Sequence, residues 1–430
     1  MPPDPATRLY RACEPNKPIG PDDPRHVNFD DVRGDNAVLE LFSALRFAGD
    51  DPKCSLFPGH RGVGKTSELL RLKKLLEKET FQVVMFDVQD ALDVNDLDFP
   101  DLLVYLAAEI QKQLKAANIP GFDTTTTLLR RWWEDLMGLM GSTVSIKEAS
   151  LDAGFGKLAL ELKNRPTARA QLRQQIESRA SSLLDAVNDL LATAAVALRK
   201  KEQAGLVLLV DGLDKLVLRQ LDHGTNTHDR LFQDRCEQMA ALNAHVVYTV
   251  PISMIYSPRC AQIEETFGAF HKTVAMIRIR SASKGAATSQ TPGMQKLWEM
   301  VHFRCKHAEV DIAAAFDSES TCHHLCEMSG GHPRHLLMFL QSAIVKVGTL
   351  PITRAAAHGA IRDYENGLRR EVPTDFLPEL RKFLHPQTEI PKDEQHQQML
   401  FNLHIFEYMN DHQWYEVNPV LRELLAHVRA

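Results

Sequence analysis

The stretch FPGHRGVGKTSELLRLKKLL, Phe57–Leu76, sets three glycines, a lysine and a threonine between an apolar lead-in and a run with leucines at helical spacing. The spacing Gly59-x-x-x-x-Gly64-Lys65-Thr66 is that of a phosphate-binding loop. Phosphate oxygens need donors at close range. Glycines let backbone N–H groups curl around them, and the helix N-terminus adds its positive dipole end. Gly59, Gly62, Val63, Gly64, Lys65, Thr66 and Ser67 are therefore the candidate nucleotide contacts. Lys65 would neutralise the β- and γ-phosphates, and Thr66 would set a hydroxyl on Mg²⁺. The preceding CSLFP, Cys54–Pro58, reads as a short buried strand and SELLRLKKLLE, Ser67–Glu77, as a helix, so strand, loop and helix come in the required order.

Such a loop needs a carboxylate to hold the metal, usually at the end of a buried strand. GLVLLVDGLDK, Gly205–Lys215, supplies an apolar run ending in Asp211, the candidate metal-side carboxylate. Asp214, three residues on, either orients or deprotonates the attacking water or caps a helix beginning near Lys215. Lys65, Asp211 and Asp214 are the candidate catalytic residues, and Thr66 and Asp211 the metal set, with ATP and Mg²⁺ as the expected cofactors.

Composition describes an ordinary host. With 430 residues, 44% hydrophobic and 25% charged, the chain can bury a large core in two or three domains. A formal charge of −6 gives no global attraction to nucleic acid. Seven scattered cysteines, an odd number, argue against a disulfide framework and for a reducing cytoplasm. MPPDPATRLY is neither basic nor apolar enough for a signal peptide, and no uninterrupted apolar run reads as long enough to span a bilayer.

Along the chain, residues 1–30 are rich in proline and aspartate and read as a flexible arm. DVRGDNAVLELFSALRFAG, Asp31–Gly49, is an amphipathic helix. FQVVMFDVQD, Phe81–Asp90, and AHVVYTVPIS, Ala244–Ser253, are further strands. Apolar runs alternating with helices imply an α/β fold built on a doubly wound parallel sheet, with a helical insertion at about 102–201 inside a core spanning 31–284. A helical lid at 285–373 and a small winged-helix domain at 374–430 follow, the latter with a hairpin at IFEYMNDHQWYEV, Ile405–Val417, turning at Asn410-Asp411.

GHRGVGKT, VDGLDK, the polar strand end in YTVP and the helix start GGHPRHLL, with the terminal winged helix, together resemble the AAA+-related P-loop ATPases. The likeness is to signal-transduction ATPases with numerous domains, the STAND class, and to origin-recognition-type ATPases, and it runs in order from Asp31 to Leu425. It implies that Thr249 senses the γ-phosphate, that Pro333 touches the adenine or holds the lid, and that Arg334 reports on phosphate from the lid. Lys215 stands where several relatives carry an acid, and Arg33-Gly34 inverts their Gly-Arg near the base.

Other features have bland readings. Cys322-His-His-Leu-Cys326 reads as packed helix surface rather than a zinc site, and Arg130-Arg-Trp-Trp133 as half core and half solvent. Arg165, Arg169, Arg173 and Arg179 read as a solvated face, with an arginine finger as the sharper alternative. The resemblance implies a slow ATPase acting as a conformational switch that regulates protein partners or its own assembly, in families with prokaryotic conflict and antiviral roles. The alternative is a DNA-engaging ATPase of the origin-recognition type using its winged helix, which the few cations of NPVLRELLAHVRA disfavour. No sensor repeat or effector domain is recognisable, so trigger and output are expected on separate proteins.

Overall fold

A strand with only apolar side chains from Leu206 to Val210 needs cover on both sheet faces. That strand, β3 (Gly205–Asp211), lies inside a four-stranded sheet of order β1-β4-β3-β2. The computed structural model describes residues 3–34, 36–120, 127–139, 151–164, 166–221, 225–267, 271–280, 288 and 290–427. β1 is Cys54–Gly59, β2 is Phe81–Asp87 and β4 is His245–Pro251. β2 and β3 run parallel, from Phe81 opposite Gly205 to Asp87 opposite Asp211, and β3 and β4 run parallel from Val207 opposite His245. Along β1, Lys272 donates its N–H to the Leu56 carbonyl at 3.4 Å and Val274 bridges Gly59 in parallel. The α/β fold with a wound parallel sheet is thus the one observed.

The chain forms two compact units. The sheet unit comprises residues 39–58 and 72–272, and the loop unit comprises 1–38, 59–71 and 273–430. In the sheet unit, five helices among the described residues lie between β2 and β3 where the insertion was expected: α5 (Phe99–Ala116), α6 (Thr127–Leu139), α7 (Leu151–Asn164), α8 (Pro166–Glu177) and α9 (Ala180–Lys200). Earlier in the chain come α1 (Pro5–Ala12), α2 (Asp30–Arg33), α3 (Ala37–Ala48) and α4 (Lys65–Lys78). Asp98 opens α5 through a capping box with Asp101. α5 packs on β2 and α9 on β3, so this layer is continuous with the sheet's own core.

The tryptophans of the Arg130–Trp133 stretch are core: Trp132 and Trp133 are buried against Phe155, with ring centroids 5.6 and 5.1 Å away, while Arg130 and Arg131 are exposed. Two members of the arginine run, Arg169 and Arg173, do not lie on a solvated face. Arg169, 4% exposed, pairs with Asp93 and Asp96, and Arg173 pairs with Asp96 and Asp101. Acids at the start of α5 and in the loop before it hold these cations inward, which also removes them as fingers. Arg165 lies outside the described residues.

α9 is the one helix among the described residues that passes, by length and composition, as long and apolar enough to cross a membrane. Its Leu183, Val187, Leu190 and Leu191 are buried, and the helix packs on α5, α6 and β3. Asp185 and Asp189 interrupt its apolar run, in keeping with the absence of an uninterrupted one from the sequence.

The proline-rich N-terminus contains helix rather than a loose arm. Asp4 caps α1 by accepting the Thr7 N–H at 3.0 Å, Pro5 occupies its first turn, and Ala6, Leu9 and Ala12 are buried. α1 packs on the helices Pro292–His307 and Pro333–Val347. The hairpin is where it was read, β5 (Ile405–Met409) with antiparallel β6 (Gln413–Val417), but its side chains are core. Phe406, Tyr408 and Trp414 are 0–2% exposed, and the Tyr408 hydroxyl donates to the Gly330 carbonyl at 2.7 Å. The expected lid and terminal regions therefore share one compact unit, because aromatic strands need a large apolar partner. Cys322 and Cys326 are buried, and all seven cysteines are free.

The burial of Leu9 makes the N-terminus testable. Leu9→Ala should lower unfolding stability by about 2–4 kcal/mol in a denaturant titration. An unchanged midpoint would mean that α1 adds nothing to the core.

Candidate functional site

The loop after β1 turns on two glycines in the left-handed region, Gly62 at φ +89° and Gly64 at +110°, before α4 opens at Lys65. Val63 is fully buried and fixes the middle of the loop. The Lys65 ammonium, in a side chain 4% exposed, donates to the carbonyls of Gly59 at 2.7 Å and His60 at 2.9 Å. Thr66 and Ser67 are half-buried in the first turn, and the Ser67 hydroxyl accepts the Ile19 N–H at 3.0 Å. A buried cation beside a helix N-terminus makes this end of α4 strongly electropositive.

Three groups of the loop unit bear on this loop. The first is Arg33 of α2, whose guanidinium donates to the Val63 carbonyl at 2.6 Å and to Glu68 at 3.1 Å. Arg71 joins the same network by pairing with Glu68 and Asp30. Burial lowers the pKa of Arg33. The second is the start of the Pro333–Val347 helix. Gly330 and Gly331 have φ of +64° and +81°, and His332 caps the helix by accepting the His335 N–H at 3.1 Å. Pro333 occupies the first turn. The other ring nitrogen of His332 lies 2.9 Å from the Arg61 carbonyl. A Cβ at Gly62 would stand 2.8 Å from His332 Cε1 and 3.0 Å from Arg334 Cδ, so Arg334 lies directly against the loop.

The third group is the hairpin. The backbone N–H of Glu407 donates to His60 Nε2 at 2.8 Å, and the rings of His60 and Phe406 meet edge-on at 5.8 Å. Phe406 also lies 5.9 Å from His332 and from His335, and His335 Nε2 meets the Tyr364 hydroxyl at 2.8 Å. Burial, with like charges nearby, drives all three histidines toward the neutral form: His60 and His335 to about 3, His332 well below its ordinary value. A neutral imidazole is what lets His60 accept the Glu407 amide.

The remaining candidates lie together in the sheet unit. Asp211, 1% exposed, ends β3. Asp214, 6% exposed, lies in a single 3₁₀ turn, Leu213–Lys215. No helix starts at Lys215, so the capping reading of Asp214 has no helix to cap. Thr249 of β4 is fully buried with its hydroxyl 3.5 Å from the Val210 carbonyl, one residue before Asp211. Residues that the sequence reading passed over are His60, His332 and Glu407 around the loop and Asp87 beside Asp211. His60 carried a signal, since a histidine inside a glycine loop must be accommodated somewhere.

No family model and no curated protein matches this sequence. Among solved structures, the chain is similar to Cdc6p of Pyrobaculum aerophilum at 12% identity and a TM-score of 0.40, over 97% of this chain and 96% of that one. It is similar at the same identity and a TM-score of 0.41 to the ORC1 protein of Aeropyrum pernix, solved in complex with DNA, over 97% of each chain.

The buried histidines set a pH dependence. Their folded pKa values lie below the 6.5 of the unfolded chain, so stability is full above pH 6.5 and falls as pH drops toward 3. His60→Gln keeps an acceptor for Glu407 and removes one titration. Between pH 6 and 5 its stability should fall less steeply than that of the wild type, by up to about 1.4 kcal/mol per pH unit. Identical slopes in equilibrium unfolding would contradict a neutral buried His60.

Proposed function

We propose that the chain is an ATP-binding and ATP-hydrolysing molecular switch of the AAA+-related kind. The observation that carries this reading is the attachment of the glycine loop, through His60 and Arg61, to Glu407 of the hairpin and to His332 at the helix start. A ligand that reshapes the loop must act on both contacts. The residues fit a polyphosphate: a buried ammonium, two left-handed glycines and the first turn of a fourteen-residue helix form a cationic N-terminus.

In this reading Gly59, Gly62, Val63, Gly64 and Ser67 supply the loop contacts, and Lys65 moves from its own carbonyls to the β- and γ-phosphates. Thr66 and Asp211 hold Mg²⁺, which when bound would neutralise charge on the transferring phosphoryl group. Asp214 orients or deprotonates water, Thr249 reads the γ-phosphate, and Pro333 and Arg334 couple the Pro333–Val347 helix to the nucleotide. The output is a changed surface for a protein partner or a second copy of the chain, centred on the lid and winged-helix segments. Cytoplasmic placement goes with this reading.

The second reading is a DNA-engaging ATPase of the origin-recognition type, with the hairpin and its flanking helices as a winged helix. The solved structures similar to this chain stand on that side, at TM-scores that leave the decision to the chain's own chemistry. Near the hairpin, Glu416 pairs with both Arg280 and Arg422, which takes these cations away from phosphate contact.

Lys65→Ala should abolish most ATP binding without unfolding the protein, and unchanged binding and hydrolysis would contradict the assignment. Arg334→Ala should still bind ATP, with affinity down by no more than about tenfold, or 1.4 kcal/mol. It should lose the ATP-dependent protection of residues 374–430 from protease expected of the wild type, whereas retained protection would make Arg334 an ordinary helix residue. Specific, salt-sensitive binding to duplex DNA that rises with ATP would favour the second reading.

A further inference from the structure

Lys215 is a cation beside the candidate hydrolytic carboxylate Asp214, and the structure shows where its charge goes. Lys215 Nζ donates to Asp87 Oδ2 at 2.8 Å and to Gln89 Oε1 at 2.6 Å. Asp87 ends β2 in register with Asp211 on β3, so the two carboxylates leave adjacent strands on one face of the sheet. The other oxygen of Asp87 accepts the Gln89 N–H at 2.9 Å, which caps the 3₁₀ turn Val88–Asp90. That turn is held again from α7, where Lys163 donates to the Gln89 carbonyl at 2.7 Å.

Gly212, between Asp211 and Asp214, has φ +87°, and a Cβ there would stand 2.1 Å from Asp87 Oδ1. The Asp87 carboxylate therefore lies directly on the Gly212 α-carbon. Lys215 closes the arrangement by pulling the far end of the same turn onto Asp87. Asp214 thus sits in a turn pinned at Gly212 by contact and at Lys215 by an ion pair whose partners are 19% and 30% exposed. The cation also screens Asp87 from Asp211, which would otherwise face an unneutralised like charge on the neighbouring strand.

We infer that Lys215 and Asp87 are a positioning pair that fixes the Gly212 turn and so aims Asp214 for hydrolysis, leaving nucleotide binding to the glycine loop. The inference rests on the ATPase reading above. Its mark is a split between affinity and rate, which a general loss of structure would not produce.

The test uses the full chain in four forms: wild type, Lys215→Met, Lys215→Arg and Asp87→Asn. Each is titrated with ATP at equilibrium and followed through a single turnover, with thermal melting alongside. Lys215→Met should bind ATP within about threefold of wild type while its single-turnover rate falls by about tenfold or more, and Lys215→Arg should restore most of that rate. Asp87→Asn, which keeps an oxygen over Gly212 but loses the charge, should also be slow and decides the matter if Lys215→Met fails to fold. A wild-type rate in Lys215→Met or Asp87→Asn, or equal losses of affinity and rate that arginine does not repair, overturns the positioning pair alone. A wild type that neither binds nor hydrolyses ATP overturns the ATPase reading and the pair with it.

Discussion

The hydrogen bond from the Glu407 amide to the imidazole of His60 joins residues 347 apart in sequence, and the organisation of the loop unit depends on it. One partner lies inside the glycine loop and the other on β5. The bond exists because burial keeps His60 neutral, and burial is complete because Phe406 covers the ring. Around it His332 and His335 pack on Phe406, and Tyr364 packs on His335, so the helix Pro333–Val347, the hairpin and the loop share a single aromatic cluster. Deforming the loop would disturb a well-packed core, and close-packed cores respond by changing arrangement rather than by stretching.

The loop pays no steric penalty for this closeness because its turning residues are glycines. Gly62 has His332 and Arg334 at contact distance, and Gly331 has the Ile277 carbonyl where a Cβ would be. The same device recurs in the sheet unit, where Gly212 admits the Asp87 carboxylate. In all three places a side chain would force backbone or a charged group to move. Charge is managed with similar economy: Arg33 and Arg71 share Glu68, and Arg169 and Arg173 share Asp96, so each of these four cations has a carboxylate partner.

What could be read from sequence was what is local. The order of strand, glycine loop and helix at Cys54–Lys78, the apolar run ending in Asp211 and the aromatic hairpin at Ile405–Val417 each carry a period or a turn chemistry within a few residues. What escaped was tertiary. Nothing near His60 announces Glu407, and nothing near Lys215 announces Asp87, because each pairing is made by packing between distant elements. The N-terminus misled for a different reason: Asp4-Pro5 is a helix start as much as a disorder signal, and only the burial of Leu9 decides which. That residues 273–430 share one compact unit was not legible either, because it depends on which distant apolar surface covers Phe406 and Trp414.

The central claim is that the state of the glycine loop is transmitted to the terminal hairpin through His60. Amide hydrogen exchange at residues 405–409, measured with and without a non-hydrolysable ATP analogue at saturation, tests it most directly. The account predicts that binding of the analogue changes the exchange rate of the Glu407 amide and its neighbours, and that His60→Ala binds the analogue without that change. Saturating binding that leaves exchange across β5 unaltered in the wild type would contradict it.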